Sequence, residues 1–335
     1  MKFLDKRILD KRILAVFLAL AIVVGFLVVS GTPQKTTATK IRIGDWPAVN
    51  GLPEYLALEK GYFKEAGLDV ERVKFETPSQ LIDASLQGKI DFGTAMALGI
   101  TAIVDQKNPG KLKVFAVSGG TKNATNESLI VPISSSISSF KDLRGKKLGI
   151  PAGTIQWRTI ARDLLAINGL DMDKDLEIVE LTPALQVQAL AAKQVDALLA
   201  LEPIPTIAVG KNVATVAVNG PAEQFIADPF YPGALAVNAE FAKNNPETTK
   251  KVMAVFDRAM KEISENPDAA RQYLKGYTSL TDDIASKVPI SIFKNCSELD
   301  ANDFEAIKKF YDIFSEYNVV DQELNFNNLS YCNSD

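Results

Sequence analysis

From Lys40 onward the chain alternates short apolar runs with helix-length stretches in which apolar residues recur every three or four positions. That alternation belongs to α/β sheets built with crossover helices. In the first half, residues 40–44, 68–75, 89–93 and 111–119 read as strands. Residues 53–66, 78–87 and 96–106 read as helices, the first ending at Gly67 as a C-cap. The second half repeats the plan, with strands at 146–150, 176–181, 195–200 and 214–219 and helices at 154–168 and 183–193. Thr77-Pro78 precedes Asp91 by the same interval as Thr182-Pro183 precedes Asp196, and Gly67-Leu68-Asp69 recurs as Gly169-Leu170-Asp171. Shared turn chemistry alone can produce such echoes, because helix ends favour Gly and helix starts accept Pro. Together with the strand order they predict two similar α/β lobes. The last third carries helical periodicity only, at 246–265, 267–276, 282–286 and 300–317, with Val252, Val255, Phe256 and Ile263 on one face. With no new sheet expected there, these helices are expected to cover a lobe already built.

Ahead of this body, residues 13–30 hold no charge and are just long enough to span a bilayer as a helix. Residues 1–12 carry five Lys or Arg against two Asp, a basic segment expected on the cytoplasmic side. Residues 13–30 are therefore read as a transmembrane anchor, a cleaved signal peptide being the alternative. Residues 31–40 read as a polar linker, which places the remainder on the extracytoplasmic side.

Composition narrows the chemistry. The 335 residues contain no histidine, which excludes Ser-His-Asp and Cys-His nucleophiles, His-based zinc sites and imidazole proton shuttles. The net charge of −4 gives no reason to expect nucleic acid as a partner. The two cysteines, Cys296 and Cys332, suit a single disulfide pinning the C-terminal tail, with two free thiols as the alternative.

Five segments carry a family resemblance: 61–70 (GYFKEAGLDV), 84–93 (ASLQGKIDFG), 142–151 (DLRGKKLGIP), Val195-Asp196-Ala197 with Glu202-Pro203, and 241–247 (FAKNNPE). In this order and spacing the chain resembles the substrate-binding proteins of ABC importers of the nitrate, sulfonate and taurine type. Relatives of that family bind thiamine-precursor pyrimidines. The resemblance implies a type II periplasmic-binding-protein fold, with two α/β lobes around a ligand cleft and C-terminal helices packing on lobe one. It implies lobe one at 41–127 and 233–335 and lobe two at 128–232, with crossings near 127–131 and 233–238. It further implies a monomer that delivers a small molecule to an ABC permease in the membrane, without cofactor or metal. Pyrimidine synthases of the same fold use their own histidine, so their reaction is not expected from this chain. A membrane-anchored ligand sensor is the other alternative, and sensing would require a partner chain.

Ligands of open α/β sheets bind beyond the carboxyl ends of the strands, where helix N-termini lie. Four loops meet that condition and supply the candidate contacts. Asp45 and Trp46 follow the first strand; Gly93, Thr94 and Ala95 follow the third; Gly120 and Thr121 follow the fourth; Gly153, Thr154 and Gln156 open the first helix of lobe two. Glu202, at a strand end, and Tyr231, in the return crossing, complete the set. The threonines equally suit helix capping, Trp46 equally suits core packing, and the carboxylates equally suit pairing with a cation. Helix starts favour an oxyanion whereas Asp45 and Glu202 oppose a bare one, so a zwitterion such as an aminosulfonate, or a neutral heterocycle, satisfies both. The reading of residues 13–30 has a direct test. Expressed in a bacterium, the full chain is expected to sediment with membranes and resist high-salt extraction, whereas a soluble form beginning near Gly31 would identify a cleaved signal.

Overall fold

The computed structural model describes residues 38–333, apart from Thr154 and Ser279. Among the described residues no helix is long and apolar enough to cross a membrane. The basic segment 1–12, the proposed anchor 13–30 and most of the linker lie outside them.

Among the described residues eleven strands form two mixed sheets. The first contains β1 (Thr39–Asp45), β2 (Leu68–Lys74), β3 (Phe92–Ala97), β4 (Leu112–Gly120), β10 (Phe230–Asn238) and β11 (Ile292–Asn295). The second contains β5 (Glu127–Pro132), β6 (Lys147–Pro151), β7 (Glu177–Leu181), β8 (Ala197–Leu201) and β9 (Ala214–Asn219). Their orders are β11-β4-β10-β3-β1-β2 and β7-β6-β8-β5-β9. Apart from β11 the two orders are equivalent. Three parallel strands come first, then one antiparallel strand, then a fourth that pairs with the antiparallel one. The repeated plan is therefore real at the level of topology. The antiparallel strand in each sheet is the one that follows a link from the other: β5 after residues 121–126, β10 after residues 220–229. Residues 127–131 and 233–238, expected near the crossings, lie in these two strands.

Burial explains the placement. All nine residues of β10 and all six of β3 are buried, as central strands covered on both faces must be. The third strand lies a few residues beyond the expected 89–93: Asp91 is a bend whose N–H bonds the Arg42 carbonyl, and the ladder with β1 begins at Phe92. The expected helix 53–66 is broken into Leu52–Glu59 and Tyr62–Glu65 by Gly61, whose φ of 75° interrupts the helical hydrogen-bond ladder.

The long helix Pro246–Glu265 packs on Leu52–Glu59 and β11 through Val252, Val255, Phe256 and Ile263. The Phe256 ring meets Phe63 and Phe115 at centroid distances of 5.7 and 5.5 Å. Two features of the last third depart from expectation. Residues 292–295 add an edge strand to the first sheet, antiparallel to β4. In addition, the helix Ala301–Glu316 touches not only β10 but also the helix Ile155–Ile167 of the second sheet, so its apolar face is shared between the two halves. Phe310 on it contacts Phe230 at 5.0 Å, and Tyr317 just past its end donates to Asp163 at 3.1 Å.

Cys296 and Cys332 are joined by a disulfide, with Cα atoms 5.9 Å apart. It fastens the terminal turn Tyr331–Asn333 beside the end of β11. Closing a loop over a sequence separation of 36 is expected to stabilise the fold by about 2–4 kcal/mol. Cys296→Ser, compared with wild type in urea, is expected to lose about that much stability, with a lower midpoint and a steeper slope because the unfolded chain is no longer cross-linked.

Candidate functional site

The carboxyl ends of β1, β3 and β8 converge on a cavity of about 40 Å³ between the two sheets, enough for a few waters or a very small group. Trp46, Asn50, Ala95 and Met96 line it from the first sheet. Gln156, Trp157, Leu201 and Glu202 line it from the second, and Asn126 and Pro232 from the links and their flanks. The first wall is held rigidly. Trp46 donates its indole N–H to the Ala95 carbonyl at 2.7 Å, and Tyr55 donates to the Trp46 carbonyl at 3.2 Å. Ala95 itself has φ 57°, a left-handed conformation that costs a residue with a Cβ about 1 kcal/mol or more and persists only where its surroundings impose it.

Behind this wall lies an ionic network. Arg72, on β2, pairs with Asp45 and reaches Glu54 at 3.1 Å, its guanidinium resting over the rings of Tyr277 (4.4 Å) and Tyr55 (5.5 Å). Thr94 donates to Glu54 at 2.6 Å. Burial, and then the neighbouring Asp45, push the Glu54 carboxyl up to about 8. One guanidinium thus faces two acidic groups, which lowers the cost of holding either of them out of water.

Across the cavity, Gln156 joins the halves. Its side-chain oxygen accepts the Gly99 N–H at 2.8 Å, and its amide donates to the Pro232 carbonyl at 3.0 Å. Ser79 donates to the Gly153 carbonyl at 3.0 Å, a second bond between the halves. Glu202 accepts the Thr206 N–H at 3.3 Å, and burial pushes its carboxyl up to about 7.

Of the residues expected at the ligand, Trp46, Ala95, Gln156 and Glu202 line the cavity. Asp45 and Thr94 belong to the ionic network behind it, and Gly93 is buried in β3. The Thr121 N–H closes a turn on Ala124. Gly120 makes room for Glu223, since a Cβ there would stand 2.0 Å from the Glu223 Oε1. Gly153 serves through its carbonyl to Ser79. Tyr231 is turned into the core, donating to Asp303 at 2.7 Å. Thr154 lies outside the described residues. The expected contacts did not include Asn50, Met96, Asn126, Trp157, Leu201 or Pro232. Only Asn126, immediately before a strand that changes sheets, had a visible signal. Among the residues lining the cavity, Glu202 alone carries an ionisable side chain.

Residues 48–270, more than half of the chain, match the family described as NMT1/THI5 like, and the chain belongs to that family. It is 30% identical over 216 residues to a candidate binding protein of Brucella abortus (strain 2308), across 64% of this chain and 63% of that one, so it spans less than two thirds of that relative's length. It is 24% identical over 253 residues to the 4-amino-5-hydroxymethyl-2-methylpyrimidine phosphate synthase THI11 of Saccharomyces cerevisiae, across 72% of each chain. The fold matches that of the periplasmic aliphatic sulphonate binding protein SsuA from Escherichia coli with a TM-score of 0.70 and 20% identity, covering 88% of this chain and 98% of that one. Relatives of this chain thus include both binding proteins and a synthase.

Glu202 gives the site a predictable pH response. Its carboxyl is raised from 4.5 to about 7, so the unfolded chain releases that proton first. The stabilisation is present in full below about pH 4.5 and is lost as pH rises towards 7. The stability of wild type relative to Glu202→Gln, from urea titrations at several pH values, is expected to fall across that window by at most about 3 kcal/mol, less to the extent that water enters the cavity.

Proposed function

We propose that this chain is the extracytoplasmic solute-binding component of an ABC importer. It captures a small polar molecule between lobe one (41–127 and 233–335) and lobe two (128–232) and delivers it to a permease. The observation that carries the reading is the cavity itself. It lies at strand ends, between two topologically equivalent sheets, and takes lining residues from both. A ligand there contacts both lobes, as a closing cleft requires, because an open–closed equilibrium moves only as far as the ligand prefers the closed form.

The lining also selects a ligand class. Two indole rings and one carboxyl, with no Lys or Arg among the lining residues, favour an N–H or ammonium group beside an apolar or flat body. An aminosulfonate or an aminopyrimidine, admitted once the lobes part because either exceeds the space of about 40 Å³, matches this lining better than bare nitrate or sulfate, for which Glu202 is a repulsive neighbour. No general acid/base pair or nucleophile is needed for this role, and the fold match to a sulphonate-binding protein supports it.

A thermal-shift screen of the full chain against taurine, an alkanesulfonate, nitrate and an aminopyrimidine tests the reading. A cognate ligand at about 100 times its dissociation constant adds roughly 2.7 kcal/mol of stability. An amine-bearing compound is expected to score, and Trp46→Ala and Glu202→Gln are each expected to weaken it by about 1–3 kcal/mol. Stabilisation by nitrate with none by the amines would overturn the ligand class, and a response unaffected by both substitutions would move the site elsewhere.

A further inference from the structure

The two links between the sheets meet at a pair of carboxyl groups. Glu127 opens β5 at the end of the first link, and Glu223 lies on the short helix Pro221–Phe225 within the second. Their exposures are 0% and 1%. Each is bonded to the backbone of the opposite link: the Ala222 N–H donates to Glu127 Oε1 at 2.9 Å, and the Asn126 N–H donates to Glu223 Oε1 at 3.3 Å. The second oxygens, Glu127 Oε2 and Glu223 Oε2, are buried without a hydrogen-bond donor among the described residues. The two carboxyl groups face each other. Gly220 and Gly120 leave the space that Glu223 fills, since a Cβ on either would lie within 3 Å of its oxygens.

Two buried carboxylates in contact cannot both ionise at ordinary cost, whereas one proton between them supplies the donor that both second oxygens lack. We propose that Glu127 and Glu223 hold a single shared proton, which fastens the two links together and positions Asn126 in the cavity wall. Asn126 is well placed to transmit this. Its N–H is on Glu223, its carbonyl accepts the Glu202 N–H at 3.0 Å, its side chain accepts the Ser291 hydroxyl at 3.0 Å, and it lines the cavity. The charged groups facing the pair are Glu202 beside Glu127 and Asp228 beside Glu223, both acidic. Lys122, 3.9 Å from Asp228, is the nearby cation and is exposed. Burial first pushes both carboxyls upward; Glu127 is raised next by Glu223 and least by Glu202, while Asp228 adds only the smallest upward effect on Glu223. The inference concerns the links and holds whichever solute the cavity takes.

A carboxyl-carbon NMR titration of the full chain with labelled glutamate, together with amide exchange at Asn126 and Ala222, tests it. In the wild type, Glu127 and Glu223 are expected to titrate as one coupled system, with the shared proton, the second to leave, lost well above the ordinary glutamate value. Exchange at both amides, corrected for its intrinsic pH dependence, is expected to rise by up to about tenfold per pH unit through that step. Glu223→Gln, whose amide can donate but not ionise, is expected to abolish the exchange step, while Glu202→Gln retains the step but moves it slightly to lower pH. Independent titration of the two carboxyls in the ordinary range would overturn the proposal, as would an unchanged exchange step in Glu223→Gln. Should Glu223→Gln fail to fold, the wild-type titration decides alone.

Discussion

A strand in the interior of a sheet must satisfy its backbone N–H and carbonyl groups on both edges, and in this molecule that demand is met by exchange. Strand β5 completes the second sheet after the chain has just left the first, and β10 completes the first after the chain has left the second. Each inserted strand lies antiparallel between two parallel neighbours. Neither sheet closes its hydrogen bonding without the link that leads from the other. Each link ends in a central strand, the first running from β4 to β5 and the second from the edge strand β9 to β10, which confines any relative movement of the halves to a short stretch of backbone.

That geometry dictates where polar chemistry accumulates. The parallel strands of both sheets aim their carboxyl ends at the space between them, and the links pass along its side. Acidic groups placed there are desolvated from several directions, and the structure answers them in three ways. Asp45 and Glu54 share the guanidinium of Arg72, itself held over two tyrosine rings. Glu202 keeps one oxygen on a backbone N–H at the start of a helix, its other side open to the cavity. Glu127 and Glu223, with no cation paired to either among the described residues, face each other. The same low-dielectric setting that raises these groups also strengthens whatever hydrogen bond a ligand makes with them. The carboxyl on the cavity wall therefore bears most directly on which solute is accepted.

The halves are also joined away from the cavity. Helix Ala301–Glu316 lies against β10 on one side and against Ile155–Ile167 on the other, and Tyr317 reaches Asp163. Its apolar stripe is wide enough to serve both contacts. Period alone identifies such a stripe but not its partners, which is why the helix read simply as a cover for one lobe.

Strand and helix periodicity, the Gly and Pro punctuation and the repeated Thr-Pro and Gly-Leu-Asp spacings were enough to establish an α/β chain made of two like halves, because those signals are local. The absence of histidine likewise settled which chemistries are excluded, since no fold can supply a missing side chain. Strand-end position brought Trp46, Ala95, Gln156 and Glu202 to notice, and these four do reach the cavity. The same rule chose Asp45 and Thr94, which point into the network behind it, whereas Tyr231, chosen from the return crossing, turns into the core. A strand end specifies where a residue sits along the chain, but the side of the sheet its side chain takes depends on pairing and on the charges waiting there. Arg72, 27 positions from Asp45, decides that case. Asp303, 72 positions from Tyr231, decides the other. The edge strand β11, the shared helix and the facing carboxyls of the links are all contacts between distant segments, and only the folded chain brings them together.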